Sequence, residues 1–223
     1  MKLIEVLHEI EKTAKLSKFA QNVILVAVSK TKPASDIMEL YDHGQRVFGE
    51  NYVEELIEKS KQLPKDIKWH FIGHLQSNKI KQLLSVENLD CIQTVDSIKL
   101  CQKLNKRLEE QGRILNIYTQ VKITEEESKF GVEESELPEL LDYIKANCPK
   151  LVLKGLMTIG PVGDLSVFRK LRMIKEDLEQ TGKYGTLELS MGMSADYQQA
   201  ILEGATVVRI GSALFGPRTY KPK

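Results

Sequence analysis

Short apolar runs rich in β-branched residues alternate with amphipathic stretches along nearly the whole chain, and this alternation constrains the fold more than any other feature. The runs are Val23–Val28, Arg46–Gly49, Trp69–Ile72, Cys91–Val95, Ile117–Ile123, Val152–Leu156, Leu187–Leu189 and Val207–Ile210. Each has strand length, and the all-apolar ones read as strands buried on both faces of a parallel sheet. Helical spacing recurs between them, around Ser35–His43, Tyr52–Gln62, Asn78–Leu84, Ile98–Gln111, Glu134–Asn147, Val167–Gln180 and Asp196–Glu203. Strands alternating with helices give an α/β fold. Eight strands with helices between them in 223 residues predict a single (β/α)8 TIM-type barrel. Leu3, Ile4, Leu7 and Ile10 add an N-terminal helix before the first strand. The alternative is an open doubly wound sheet. No GxGxxG fingerprint accompanies it, and Gly155 to Gly160 has P-loop spacing but Pro161 where lysine is needed.

No Ser/Gly/Pro tract or single-sign charge block divides the chain, so residues 1–223 are read as one domain. Lys plus Arg number 32 and Asp plus Glu 31, which gives none of the one-signed field that nucleic-acid or anionic-membrane binding uses. No apolar run reaches the ~18 residues of a membrane span, and the first twenty residues carry acids where a secretory segment would be apolar. Cys91, Cys101 and Cys148 form no CxxC pair. Their odd number argues against a closed disulfide framework and fits a reducing cytoplasm. His70 and His74 lie on and after a strand, so they share no helix face of the kind that holds zinc, and no metal site is expected.

In a barrel, chemistry gathers at the C-terminal ends of the strands. Lys30 follows the first strand in VAVSKTKP, Asn51 the second, Met157 the sixth and Ser190 the seventh. A lysine at the end of a buried strand is either a solvated ammonium on a snorkelling stem or an amine held for Schiff-base chemistry. The segments LSMGMSADY and VRIGSALFG supply Ser194, Gly211 and Ser212 after strands seven and eight. Glycines admit a ligand close to the backbone, and hydroxyls with helix-start amides bind phosphate. The plainer reading makes Ser194 the N-cap of a helix starting near Ala195, and Gly211 a turn. Arg209 lies inside the apolar strand VVRIG, where a guanidinium needs a partner. That partner is a core carboxylate such as Glu50 or Glu188, or an acceptor on a ligand.

Taken together, VAVSKTKP, FGENYVEEL, KWHFIGHLQSNK, TVDS, ESKFG, GLMTIG, LSMGMSADY and VRIGSALFG resemble the pyridoxal phosphate homeostasis proteins, relatives of the barrel domain of alanine racemase. The resemblance runs from about Val23 to Arg218. It implies that pyridoxal 5'-phosphate is carried on Lys30 as an aldimine, that Arg209 faces the pyridine nitrogen, and that Ser194, Gly211 and Ser212 hold the phosphate. Asn51, Met157 and Ser190 are implied to line the pocket. Alanine racemase needs a second base from an added β domain and a second subunit, and this chain ends at Lys223. An arginine at the ring nitrogen also makes a weak electron sink. The implied role is therefore a cytoplasmic, monomeric carrier of the cofactor in vitamin B6 and amino-acid homeostasis, with enzymes that require the cofactor as its partners. The alternative is a low-activity racemase or another Schiff-base barrel enzyme. The loop after GLMTIG, PVGDLS, is shorter than in many members.

Overall fold

The computed structural model describes residues 2–19, 21–124, 130–161 and 163–217. Glu127, Ser128 and Lys129 of the ESKFG segment, together with Arg218, lie outside the described residues. The chain begins with α1 (Lys2–Leu16) and then runs β1 (Ile24–Val28), α2 (Ala34–Asp42), β2 (Val47–Glu50), α3 (Val53–Gln62) and β3 (Lys68–Phe71). It continues through α4 (Ile80–Leu83), β4 (Leu89–Val95), α5 (Ile98–Gln111), β5 (Leu115–Lys122) and α6 (Leu137–Asn147). The last elements are β6 (Leu151–Met157), α7 (Ser166–Gln180), β7 (Glu188–Ser190), α8 (Tyr197–Leu202), β8 (Val207–Ile210) and α9 (Ser212–Phe215). Each strand pairs in parallel with the next, and β8 returns to β1 with Val26 opposite Arg209. This closes an α/β TIM barrel with an added N-terminal helix, as the alternation predicts.

Local sequence explains the boundaries. Ser97 caps α5 by accepting a hydrogen bond from the Leu100 amide, and Gly112 ends that helix in the left-handed region at φ 64°. A proline within the first turn starts α6, where its missing N–H costs nothing. Two differences from the sequence reading are small. A two-residue strand, Val132–Glu133, adds to β5 outside the barrel ring. The helix expected from Asp196 begins at Tyr197.

The helices bury one apolar stripe each against the outside of the barrel. Phe48, Trp69, Leu56, Leu104 and Leu171 belong to that shell. Inside the barrel, Val26, Cys91, Tyr118, Met157 and Val207 form a separate apolar layer. Gly155 is required where β6 meets β7, because a Cβ there would fall 2.0 Å from the Glu188 carbonyl oxygen. The barrel thus has a filled floor, and the open space lies above it at the C-terminal strand ends.

Candidate functional site

A cavity of about 270 Å³ opens at those ends. Lys30, Asn51, Ser194, Arg209, Gly211 and Ser212 all reach its wall, from β1, β2, the turn after β7, and β8. Ile72, Ile159 and Met193 supply the apolar part. Six of the eight residues proposed from sequence therefore meet in one place.

Lys30 occupies a turn that is tied on both sides. The Ser29 hydroxyl donates to Glu50 Oε1 at 2.7 Å, and the Ser29 carbonyl accepts from Lys59 Nζ at 2.8 Å. Thr31 has φ 64°, a conformation that a β-branched residue rarely adopts, and its amide donates to Glu55 Oε1 at 2.6 Å. Lys59 bridges the two acids, 2.7 Å from Glu50 and 2.6 Å from Glu55. Two of the three groups that anchor the lysine turn, Glu55 and Lys59, come from α3, and the third, Glu50, ends β2. The nearby Lys32 amine donates to the Phe215 and Pro217 carbonyls, which ties the same turn to α9.

Arg209 is 4 % exposed. Its hydrogen-bond partners are neutral, and neither of the two carboxylates considered from sequence is among them. Nη1 donates to Ser190 Oγ at 2.7 Å and Nη2 to the Thr158 carbonyl at 2.8 Å. Glu50 is taken by Lys59, while Glu188 accepts from Tyr118 and pairs with Lys154. Burial lowers the Arg209 pKa to about 10, opposed by Asp196, so the side chain stays cationic at neutral pH. A guanidinium carries five N–H donors, and within the described residues these two bonds leave others to face the cavity.

The loop after β7 and the start of α9 form the cradle. Ser194 Oγ accepts from the amides of Gly211 and Ala213, at 3.1 and 3.3 Å. It therefore gathers donors across two loops and does not cap the following helix. Ser212 stands exposed at the rim. Asn51 is held by a close backbone approach: a Cβ on Gly73 would lie 2.0 Å from the Asn51 carbonyl oxygen. Its buried Oδ1 has no hydrogen-bond partner among the described residues, where buried polar atoms are ordinarily paired.

Two of the proposed residues sit below the cavity. Met157 is fully buried in the inner apolar layer, and Ser190 is fully buried under Arg209. Both side chains turn into the barrel interior, Met157 in the inner apolar layer and Ser190 directly beneath the Arg209 guanidinium. His74 stacks on Phe130 with ring centroids 3.6 Å apart, while His70 points into the barrel toward Gln93 and Asp90. The two histidines are thus separated, and among the described residues no cluster of three or more metal-ligating side chains occurs.

An amine, a fixed guanidinium and a hydroxyl-lined group of amides on one cavity wall fit pyridoxal 5'-phosphate. Residues 5–219 match the alanine racemase N-terminal domain family. A mouse pyridoxal phosphate homeostasis protein is 48% identical over 215 residues, covering 89% of this chain and 78% of its own. The chain belongs to the pyridoxal phosphate homeostasis family. A Caenorhabditis elegans member is 41% identical over 235 residues, with 99% of this chain and 96% of its own covered. Among solved structures, Synechococcus elongatus PipY with the cofactor bound is 39% identical at a TM-score of 0.77, covering 93% of this chain and all of that one. No helix among the described residues is long and apolar enough to cross a membrane.

Proposed function

We propose that this chain binds pyridoxal 5'-phosphate in the strand-end cavity and serves vitamin B6 and amino-acid homeostasis by holding it. The observation that carries the reading is the single wall shared by Lys30, Arg209 and the Ser194–Gly211–Ser212 cradle. Membership of a family with a cofactor-bound relative supports it. When bound, the group supplies an aldehyde carbon and a phosphate. Lys30 Nζ condenses with that carbon and one water leaves. Ser194, Gly211 and Ser212 hold the phosphate, and Asn51 lines the pocket beside the bound group. Arg209 donates to the ring nitrogen and keeps it without a proton, which weakens the ring as an electron sink. Met157 and Ser190 support the floor. The role is therefore holding and delivery to enzymes that need the cofactor, without efficient turnover. One chain carries every residue of the site, so a monomer suffices, and three buried free thiols suit the cytoplasm.

Borohydride reduction of the loaded protein followed by peptide mapping tests the reading. The reduced adduct should fall on Lys30 and vanish in Lys30→Ala. An adduct on Lys32 or another lysine would overturn the assignment. Steady amino-acid racemisation by a clean preparation would replace the carrier with the alternative, a low-activity racemase.

A further inference from the structure

A chain of four hydrogen bonds runs down the inside of the barrel from the site to its opposite mouth. Arg209 Nη1 donates to Ser190 Oγ at 2.7 Å, and Ser190 Oγ donates to Gln93 Oε1 at 2.5 Å. Gln93 Nε2 meets His70 Nδ1 at 2.8 Å, and His70 Nε2 meets Asp90 Oδ2 at 3.2 Å. Arg209, Ser190, Gln93 and His70 are all buried, while Asp90 is partly open to solvent. Barrel interiors are usually filled with branched apolar side chains. Four polar groups in that space are costly unless each is satisfied. Here each one is.

The two ends fix the sense of the chain. Arg209 can only donate. Asp90 can only accept, since its hydrogen bond from His70 holds its carboxyl below the usual carboxylate range against the opposing effect of burial. His70 then carries a hydrogen on Nε2, and because the Gln93 amide nitrogen, a donor, meets Nδ1, the ring is neutral with Nδ1 as the acceptor. That turns Gln93 Oε1 toward Ser190. The serine hydrogen is thereby committed to Gln93, and its lone pairs are left for Arg209. A histidine hydrogen on Nδ1 would reverse Gln93, and Ser190 Oγ would then face two donors.

We propose that Gln93 and His70 are positioning residues for the Arg209 guanidinium: their directional hydrogen bonds keep Ser190 Oγ an acceptor, which pins Arg209 at the angle the bound cofactor ring meets. The proposal rests on the cofactor reading above. Its content beyond that reading is that two residues away from the cavity wall set how strongly Arg209 donates to the ring. Without them the Ser190 hydroxyl is free to turn its hydrogen toward the guanidinium. Arg209 then shifts and donates less to the ring nitrogen. Less charge is drawn from the ring, and the imine nitrogen on Lys30 becomes more basic.

The test is the pH titration of the imine absorbance in the cofactor-loaded protein. The midpoint should rise by roughly 0.5 unit or more in Gln93→Leu and in the same direction, by less, in His70→Leu. Cys91→Ala, a buried interior change outside the chain, should leave it in place. An unmoved midpoint in Gln93→Leu, with the imine formed normally, overturns the proposal alone. No imine in the parent would overturn the cofactor reading and this proposal with it. Nitrogen-15 spectra of the histidine rings in the parent are independent of how the variants fold. His70 should be protonated on Nε2 and bare on Nδ1, and the opposite tautomer would reverse the chain and overturn the proposal.

Discussion

Lys59 Nζ stands 2.7 Å from Glu50 Oε1, and both side chains are almost wholly removed from water. The pair lies directly under the turn that carries Lys30, because the same ammonium also donates to the Ser29 carbonyl. Removing one partner of a buried pair leaves the other charge uncompensated. Lys59→Met should therefore cost about 3 kcal/mol at pH 8, measured by urea unfolding. It should also free the Ser29 and Thr31 backbone and slow formation of the adduct at Lys30. Parental stability and parental adduct formation in this variant would show that the lysine turn holds itself.

The pH dependence of that stability follows from Glu50. Burial raises its pKa from 4.5 to about 7, more than Lys59 and Ser29 lower it. The native state then binds more protons than the unfolded chain between about pH 4.5 and about pH 7. Stability from this group is full below that window and is lost as pH rises through it. The loss is on the order of 3 kcal/mol. Unfolding free energies at pH 5 and pH 7.5 should show a fall in the parent that Glu50→Gln removes. The Lys59→Met penalty should likewise be smaller at pH 5, where Glu50 is neutral. A parent more stable at pH 7.5 than at pH 5 by this margin would reverse the sign.

Strand order and the residues that meet at the cavity were legible in the sequence, because both follow from position along the chain. Lys30, Arg209, Ser194, Gly211 and Ser212 each end or follow a strand, and a closed parallel barrel brings all strand ends to one mouth. Depth below the mouth was not legible. Met157 and Ser190 also close their strands and face into the barrel as Arg209 does, yet they lie beneath the cavity, and that depth is set by the stagger of neighbouring strands, which the sequence does not carry. The register shifts between Trp69 and His70 and between Ile92 and Val95 lie on the two strands that hold His70 and Gln93. Gln93 in CIQTV looks like any strand residue until the barrel closes. Lys59 likewise reads as part of a solvated helix face, and only the packing of α3 on β2 buries it. The neutral partners of Arg209 were hidden for the same reason: the sequence left a core carboxylate and a ligand acceptor both open, and both candidate carboxylates are committed to other cations.

Gly73 tests how closely the site depends on backbone packing. A methyl group there would lie 2.0 Å from the Asn51 carbonyl oxygen, so one of the two loops must move. Gly73→Ala should destabilise the protein by about 1–3 kcal/mol and also weaken cofactor affinity, because Asn51 moves with the displaced backbone. Calorimetry with and without the cofactor separates the two effects. A destabilised variant with parental affinity would mean that Asn51 makes no contact that matters to binding.

The two cradle serines should differ in a way that distinguishes a phosphate ligand from an organiser of the loop. Ser212 sits at the rim with its hydroxyl available to an incoming anion. Ser212→Ala should lose a hydrogen bond to a charged group, about 1.5–3 kcal/mol, or roughly tenfold or more in affinity. Ser194 already accepts from the Gly211 and Ala213 amides. Truncating it removes one hydroxyl but releases two backbone donors that point into the same space, and those donors can turn to the phosphate. Ser194→Ala should thus weaken binding less than Ser212→Ala. It should also lower the stability of the cofactor-free protein by about 1 kcal/mol, since two partly buried amides lose their acceptor. Equilibrium dialysis gives the affinities, and urea unfolding without cofactor gives the stabilities. If Ser194→Ala loses more affinity than Ser212→Ala, the hydroxyl of Ser194 is itself the principal phosphate contact, and the amides it gathers are held for structure alone.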